Sequence, residues 1–159
     1  MGRNPGFDLR GARHLIAIDT NLLVYAHRVD GPWHVEAADA VRGLAEGRGA
    51  WALPWPCVHE FLAIVTHPRI FTPPTPTAKA LAQVDAWLQS PSVVTLGESS
   101  GYWTQLRAHL VAGKVTGPRV HDARVAALCS HHGVTELWSA DRDFSRFPNL
   151  RTRNPLVAA

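Results

Sequence analysis

The amino-acid sequence predicts an α/β protein in which helices cover both faces of a central parallel sheet. Short apolar runs alternate with longer amphipathic segments, which is the pattern of strand–helix–strand units. The chain has 159 residues, which is long enough for one domain with a substantial core. Its residues are 46% apolar and 18% charged, so we expect the chain to pack into a folded structure. Since no apolar run approaches the ~18 residues of a membrane span, we expect a soluble globular protein without a membrane partner.

The first predicted strand is "HLIAI" at residues 14–18, and "GAWAL" at 49–53 is the second. Amphipathic segments near 20–27 and 34–46 predict two helices between these strands. Gly47 stands where the end of the second helix favours a left-handed residue. This part of the chain therefore predicts one strand–helix–strand unit.

The next unit contains a helix near 56–66, a loop, a helix near 77–89 and the strand "SVVTL" at 92–96. Pro56 stands at the start of the first helix, where a missing amide costs little. The stretch "TPPTPT" at 72–77 predicts a loop, because proline removes backbone donors and blocks regular structure.

The last predicted elements are helices near 100–112 and 119–132 and the strand "TELWS" at 135–139. Pro118 lies near the start of the second helix, and Gly133 lies where that helix should end. The resulting order of strands and helices agrees with a parallel sheet.

We expect a flexible N-terminal extension at residues 1–13, a domain at 14–152 and a C-terminal tail at 153–159. The first residues lack the apolar segment and cleavage site of a secretory signal. Cys57 and Cys129 are isolated in apolar surroundings and suit reduced core thiols, so we expect a cytoplasmic protein. The net charge of +3 favours an acidic partner such as nucleic acid.

Three acids follow the ends of two predicted strands. Asp19 is the only charge in "LIAIDTNLLVYA", and "SADRDF" places Asp141 and Asp143 directly after the strand "ELWS". Ligands of open α/β sheets bind at the carboxyl ends of the strands, which favours a functional site here. Each acid could instead cap the helix or turn that follows it, as Asp143 could cap "FSRF".

Two further acids lie in predicted helices. Glu60 is the sole formal charge in "WALPWPCVHEFLAIV", so we expect this helix to be buried nearly all round and Glu60 to point into the protein or a cleft. Asp122 heads an apolar stripe in "PRVHDARVAALCSHHG". The alternatives are an arginine partner for Glu60 and a favourable position at a helix N-terminus for Asp122.

Carboxylates that come together from four elements repel one another, so the site needs a compensating charge. A divalent cation supplies it. The candidate ligands are all oxygens, with Thr20, Asn21 and Ser139 as neutral supports, which favours Mg²⁺ or Mn²⁺ over zinc. A carboxylate-bound metal pair is suited to the hydrolysis of phosphodiesters.

The segments "IDTNLLVYA", "CVHEFLAIV", "RVHDARVAAL" and "WSADRDF" together resemble the ordered motifs of PIN-domain nucleases, across residues 15–150. The resemblance implies a PIN-like α/β/α sandwich with a central parallel sheet. The catalytic and metal-binding acids that it implies are Asp19, Glu60, Asp122 and Asp141, with Asp143 as an additional metal ligand. Asn21 and Ser139 would orient these carboxylates.

Within that family, the compact size and the segment "HPRIFTPPTPTAKALAQVDAWL" resemble VapC toxins of bacterial VapBC toxin–antitoxin systems. This resemblance implies a Mg²⁺-dependent endoribonuclease, with Mn²⁺ as a substitute, that cuts structured tRNA or rRNA and inhibits translation. It also implies a VapB-like antitoxin partner and a homodimer. The alternatives are a PIN-fold RNA-processing nuclease outside toxin–antitoxin systems and a non-catalytic RNA-binding module.

Arginine and tryptophan side chains are the further candidates for RNA contacts. Arg119 and Arg142 flank the acids and could bind phosphates, because guanidinium matches phosphate geometry, or could be ion-pair partners of the acids. Trp33 or Trp55 could stack on an unpaired base, although core packing suits most tryptophans, Trp87 among them.

Two other functions of α/β domains agree less well with the sequence. A phosphoacceptor domain of the receiver type needs a lysine after a late strand, and neither Lys79 nor Lys114 is so placed. A phosphatase with an aspartyl nucleophile would need an acid two residues after Asp19, where the chain has Asn21.

Overall fold

The computed structural model describes residues 14–157, and the predicted extension at 1–13 lies outside this range. Six helices cover a five-stranded sheet within the described part of the chain. The helices are α1 Thr20–His27, α2 His34–Glu46, α3 Trp55–Val65, α4 Thr77–Leu88, α5 Tyr102–Ala112 and α6 Val120–His131. The strands are β1 Ile16–Ile18, β2 Trp51–Pro54, β3 Val93–Leu96, β4 Glu136–Trp138 and β5 Thr152–Arg153. The predicted α/β class and parallel sheet are confirmed.

All five strands are parallel, in the order β3-β2-β1-β4-β5. The chain moves outward from β1 through β2 to β3, and then returns to the other side of β1. With right-handed crossovers, this reversal places α1 to α4 on one face of the sheet and α5 and α6 on the other. The reversal lies between β1 and β4, and such a point is where open parallel sheets bind ligands.

Burial explains why the central strands are continuously apolar. Every residue of β1 and β2 is buried, because helices cover both faces of the sheet. Strand β3 lies at the edge, and there Val94 is 43% exposed. The apolar runs of the sequence therefore correspond to the sheet, and their carboxyl ends emerge at one edge.

The helix boundaries follow the predicted signals with one exception. Pro56 lies in the first turn of α3, and Gly133 follows α6 with a φ of +71°. The prediction of a left-handed Gly47 is wrong, because this residue has φ −73° and ψ 168°. The backbone of Gly47 is extended, and the bends at residues 47–49 connect α2 to β2 without a left-handed Gly47.

The fold extends beyond the boundary predicted at residue 152. Arg153 belongs to β5, and its carbonyl accepts a hydrogen bond from the Ser139 amide at 2.9 Å. Leu156 is only 8% exposed and packs in the core. Strand β5 has two polar, exposed residues, so no apolar run signals it in the sequence.

No helix within residues 14–157 is both long enough and apolar enough to cross a membrane.

Candidate active site

Asp19 lies directly after β1 and is 7% exposed. Its Oδ2 accepts hydrogen bonds from Ser139 Oγ at 2.7 Å and from Asn21 Nδ2 at 3.3 Å. The Cys57 thiol lies 3.6 Å from Oδ1. Although Asp19 occupies the N-cap position of α1, its side chain makes no capping hydrogen bond. Its carboxylate is therefore held by the side chains of Ser139 and Asn21.

Hydrogen bonds of Asn21 and Ser139 connect the segments that follow β1 and β4. Asn21 Oδ1 accepts a hydrogen bond from the Ala140 amide at 3.2 Å, and its Nδ2 donates to Ser139 Oγ at 3.3 Å. Ser139 Oγ also accepts from the Asp141 amide at 3.0 Å. The two residues thus link Asp19 to the backbone that carries Asp141.

Glu60 reaches the same site from α3. Its Oε2 accepts a hydrogen bond from Thr20 Oγ1 at 3.0 Å, and Thr20 itself is buried. The expectation that α3 is buried nearly all round is wrong. Its buried residues, Cys57, Val58, Phe61 and Val65, form one face, whereas Glu60 is exposed. An apolar helix bordering an open cleft does not need burial on every side, and Glu60 faces that cleft.

Asp122, Asp141 and Asp143 form a cluster in which one carboxylate oxygen from each lies within 4.8 Å of the others. Asp122 comes from the first turn of α6. Asp141 precedes the 3₁₀ turn Arg142–Arg146, and its Oδ1 accepts a hydrogen bond from the Asp143 amide at 2.8 Å. The suggested capping role of Asp143 is therefore wrong, because Asp141 caps this turn.

One cavity of about 120 Å³ connects the acids of all four elements. Its polar lining residues are Asp19, Thr20, Asn21, Glu60, Asp122 and Asp141. The four segments that are distant in sequence therefore meet at the switch point between β1 and β4. We call this cavity the acidic centre.

Burial and neighbouring carboxylates raise the pKa of two acids in the acidic centre. Burial raises the pKa of Asp19 to about 6, and the charge of Glu60 adds to this effect against the hydrogen bond from Ser139. Burial also raises the pKa of Asp122, together with the charges of Asp141, Asp143 and Glu60. An acid with a raised pKa beside other acids gains from a nearby cation, which would favour its ionised form.

The residues of the acidic centre fit a divalent metal ion. The donor atoms are carboxylate, hydroxyl and amide oxygens, which suit a hard cation. Among the described residues, Arg119 is the cationic side chain in an ion pair with the cluster, at 3.6 Å from Asp143, and both side chains are about half exposed. A single exposed pair does not neutralise this many carboxylates.

The predicted arginine contacts have different surroundings. Arg119 pairs with Asp143, as the ion-pair alternative proposed. Arg142 is exposed and lines a separate cavity beside Asp141, together with Arg153. Arg153 was not predicted as a site residue, because its position depends on the pairing of β5 with β4 and no local motif signals it.

The tryptophans also divide between the core and the surface. Trp87 is buried, as predicted. Trp55 is 36% exposed and its ring stacks on His59 at a centroid distance of 6.1 Å. His59 was not predicted as a site residue either, although it adjoins Glu60 in the sequence and lines a cavity with it. Trp33 is exposed on the connection between α1 and α2.

The chain matches the PIN domain family over residues 16–150. It is 34% identical over 137 residues to Ribonuclease VapC48 of Mycobacterium tuberculosis, with 86% of this chain and 94% of the relative covered. It is 35% identical over 142 residues to VapC ribonuclease Mb2897 of Mycobacterium bovis, with 89% and 96% covered.

Solved structures share the fold. VapBC2 of Rickettsia felis, bound to a DNA fragment from its promoter, matches with a TM-score of 0.61 and 18% identity, over 88% of this chain and 98% of that chain. VapC20 of Mycobacterium tuberculosis, described as a toxin that cleaves the Sarcin-Ricin loop, matches with a TM-score of 0.61 and 18% identity. That match covers 82% of this chain and 92% of VapC20.

Proposed function

Because the chain belongs to the PIN-domain family and, within it, to the VapC ribonucleases, we propose that it is a Mg²⁺-dependent endoribonuclease. The observation that carries this proposal is the acidic centre, where carboxylates from four elements line one cavity. The proposed substrate is a structured RNA, either tRNA or rRNA, and its cleavage would inhibit translation. Mn²⁺ is the expected substitute for Mg²⁺.

Asp19, Glu60, Asp122 and Asp141 are the proposed metal ligands, with Asp143 as an additional one. The 4.8 Å grouping of Asp122, Asp141 and Asp143 supports this assignment, as does the raised pKa of Asp19. A divalent cation bound there supplies a nucleophile near neutral pH and stabilises negative charge on the phosphodiester.

The side chains of the acidic centre have distinct proposed tasks. Asp122 or Asp141 accepts the proton of the attacking water as a general base, and the raised pKa of Asp122 suits that role. Ser139 and Asn21 position Asp19, and Thr20 positions Glu60, through the hydrogen bonds described above. Because water attacks the phosphorus, the products carry 5′-phosphate and 3′-hydroxyl ends.

The proposed cellular role is that of the toxin in a toxin–antitoxin pair in the cytoplasm. The VapC names of the relatives and the VapBC complexes among the structures with this fold support a VapB-like antitoxin as partner. A homodimer is proposed from the family resemblance. The basic sequence, with a pI near 9.3, agrees with an RNA substrate.

The test is incubation of the purified protein with total cellular RNA in Mg²⁺ or Mn²⁺, with EDTA as the metal-free arm and with the fragment ends sequenced. Asp19→Asn is the active-site variant, and Asp85→Asn, an exposed acid on α4, is its matched control. We expect discrete cuts that require both metal and Asp19 and that persist in the control. Cleavage by Asp19→Asn at the wild-type rate would contradict the assignment of the site.

Two further outcomes of this experiment would contradict parts of the proposal. Fragments with 2′,3′-cyclic phosphate ends would show that the RNA 2′-hydroxyl attacks instead of water. Intact RNA in every arm, together with retained RNA binding, would instead favour a non-catalytic RNA-binding module.

A further inference from the structure

Two larger cavities adjoin the acidic centre on different sides. A cavity of about 570 Å³ between α3 and α6 shares Glu60 and Asp122 with it. A cavity of about 210 Å³ beside β5 shares Asp141 with it. We call them the α3–α6 cleft and the β5 pocket. Acids of the acidic centre therefore also line each of the two larger cavities.

The α3–α6 cleft has the size and chemistry of a nucleobase site. Its volume lies within the range of about 300–1,000 Å³ that is usual for ligand sites. Pro56, Ala63 and Val125 provide apolar contact area, and His59 and His121 add two imidazole rings. Unpaired bases stack on aromatic side chains of this kind.

The ring of Trp55 extends the aromatic surface beside this cleft. It lies within 28° of parallel to the His59 ring, and it is 36% exposed. His59 lines the cleft, and the nearly parallel Trp55 ring stacks against it, so the two rings offer an aromatic surface to a base. Among residues 14–157, the arginine that lines the cleft is Arg124, and Glu98 engages it at 3.0 Å. The cleft therefore offers stacking more than phosphate binding.

The β5 pocket has the opposite character. Arg142 and Arg153 line it together with the polar residues Thr152 and Asn154. Neither arginine forms an ion pair with an acid among residues 14–157, in contrast to Arg119 and Arg124. The Arg153 guanidinium lies 5.5 Å from the centre of the Trp138 ring. Two guanidinium groups without acidic partners are suited to an RNA phosphate.

From this asymmetry we propose that a single RNA strand crosses the acidic centre, with one base in the α3–α6 cleft and a neighbouring phosphate in the β5 pocket. The inference rests on the proposed ribonuclease function and assigns its substrate-binding residues. Carboxylates repel phosphates, so the strand needs cationic contacts next to the acidic centre. The β5 pocket supplies these contacts on one side, and stacking in the cleft fixes the strand on the other.

A binding experiment tests this path without depending on cleavage. The Asp19→Asn protein is titrated in Mg²⁺ with a fluorescent ten-nucleotide single-stranded RNA, and separately with an abasic ribose-phosphate chain of the same length. Fluorescence anisotropy gives the Kd of each complex at several salt concentrations. The abasic chain retains every phosphate and lacks every base, so it separates the two proposed contacts.

Trp55→Ala and His59→Ala test the cleft, each introduced into the Asp19→Asn protein. We expect His59→Ala to weaken RNA binding about 5- to 100-fold, as the loss of a base stack does. Trp55→Ala should weaken it by a smaller factor, because Trp55 contacts the His59 ring and does not line the cleft. Both variants should leave binding of the abasic chain unchanged. Trp103→Ala is the matched control, because Trp103 is an exposed tryptophan on α5 that lines none of these cavities. His59 is exposed, so its variant tests the cleft even where the loss of Trp55 perturbs folding.

Arg153→Gln tests the β5 pocket in the same background. We expect it to weaken binding of both chains by similar factors and to reduce the slope of log K against log salt by about 0.7. Arg107→Gln, an exposed arginine on α5, is its control and should leave that slope unchanged.

The results that would overturn the path are specific. Cleft variants that behave like Trp103→Ala, or that weaken the abasic chain as much as RNA, would exclude a base in the cleft. An Arg153→Gln slope equal to that of Arg107→Gln would exclude the phosphate contact. If the protein bound neither the RNA nor the abasic chain, the path as a whole would be overturned. Cleavage of total RNA by the wild-type protein tests the proposed function separately.

Discussion

At the scale of single residues, Asp19 shows how the fold prepares a charged site. Its position after β1 buries the carboxylate, which raises its pKa from 3.8 to about 6. Below pH 3.8 the group is protonated in both the folded and the unfolded chain. Between pH 3.8 and 6 the folded chain binds the proton more tightly, so the stability that this group contributes is lost as the pH rises through 6.

This burial predicts a pH dependence of the metal-free protein. From about pH 4 to about pH 7, the free energy of unfolding of the wild type should fall by about 3 kcal/mol more than that of Asp19→Asn. This is the free energy that corresponds to a pKa of about 6 in the folded chain and 3.8 in the unfolded chain. Urea unfolding in EDTA at several pH values measures it. If the free energy of unfolding of the two proteins changed equally with pH, burial would not raise the pKa of Asp19.

Ser139 is the residue on which the geometry of the acidic centre depends most. Its hydroxyl contacts Asp19, Asn21 and the amide of Asp141, so Ser139→Ala removes three interactions at once. We expect a loss of about 1–3 kcal/mol in the free energy of unfolding and a lower cleavage rate. Ser145→Ala, an exposed serine of the 3₁₀ turn, is the control. Equal unfolding midpoints and equal rates for the two variants would contradict this role.

At the scale of elements, replacement of glycine by alanine should have opposite effects on stability within a helix and just after its end. Gly133 follows α6 with a positive φ, and an added methyl group would meet only open space, so Gly133→Ala should cost about 1–2 kcal/mol through backbone strain alone. Gly43 lies within α2 with similar open space, so Gly43→Ala should stabilise by about 0.5–1 kcal/mol. Thermal unfolding compares the two, and shifts of the same sign would refute this explanation.

Site residues could be predicted from the sequence where the position and packing of their helix or strand could be predicted. Asp19 and Asp141 were predictable because each follows an apolar run, and the end of a buried parallel strand is itself predictable. The exposure of Glu60 was not predictable from its apolar neighbours, because burial depends on what packs against α3. Arg153 was missed because the pairing of β5 with β4 is a long-range contact without an apolar pattern.

At the scale of the whole molecule, the strand order produces the site. After β3 the chain returns to the other side of β1, so the parallel neighbours β1 and β4 deliver Asp19 and Asp141 to the same edge of the sheet. Helices α3 and α6 then add Glu60 and Asp122 from outside the sheet. The order of strands therefore explains why acids far apart in the sequence line one cavity.

The segment that follows β5 also packs into the core of the molecule. Leu156 is buried in the core, so Leu156→Ala should lower the free energy of unfolding by about 2–5 kcal/mol. Val157→Ala, at an exposed neighbour, should change it by less than about 0.5 kcal/mol. Urea unfolding of both variants measures the difference. Equal stabilities would restore the domain boundary at residue 152.

The measurement that tests the central claim most directly is the cation dependence of RNA cleavage. The wild type, Asp122→Asn and the surface control Asp85→Asn are compared on one RNA target over a titration of Mn²⁺. If the acidic centre holds the cation that cleavage requires, Asp122→Asn should need at least about tenfold more Mn²⁺ for half-maximal cleavage, as expected for the loss of a charged ligand. The control should match the wild type. An identical Mn²⁺ dependence of Asp122→Asn and the wild type would contradict the claim that Asp122 binds this cation.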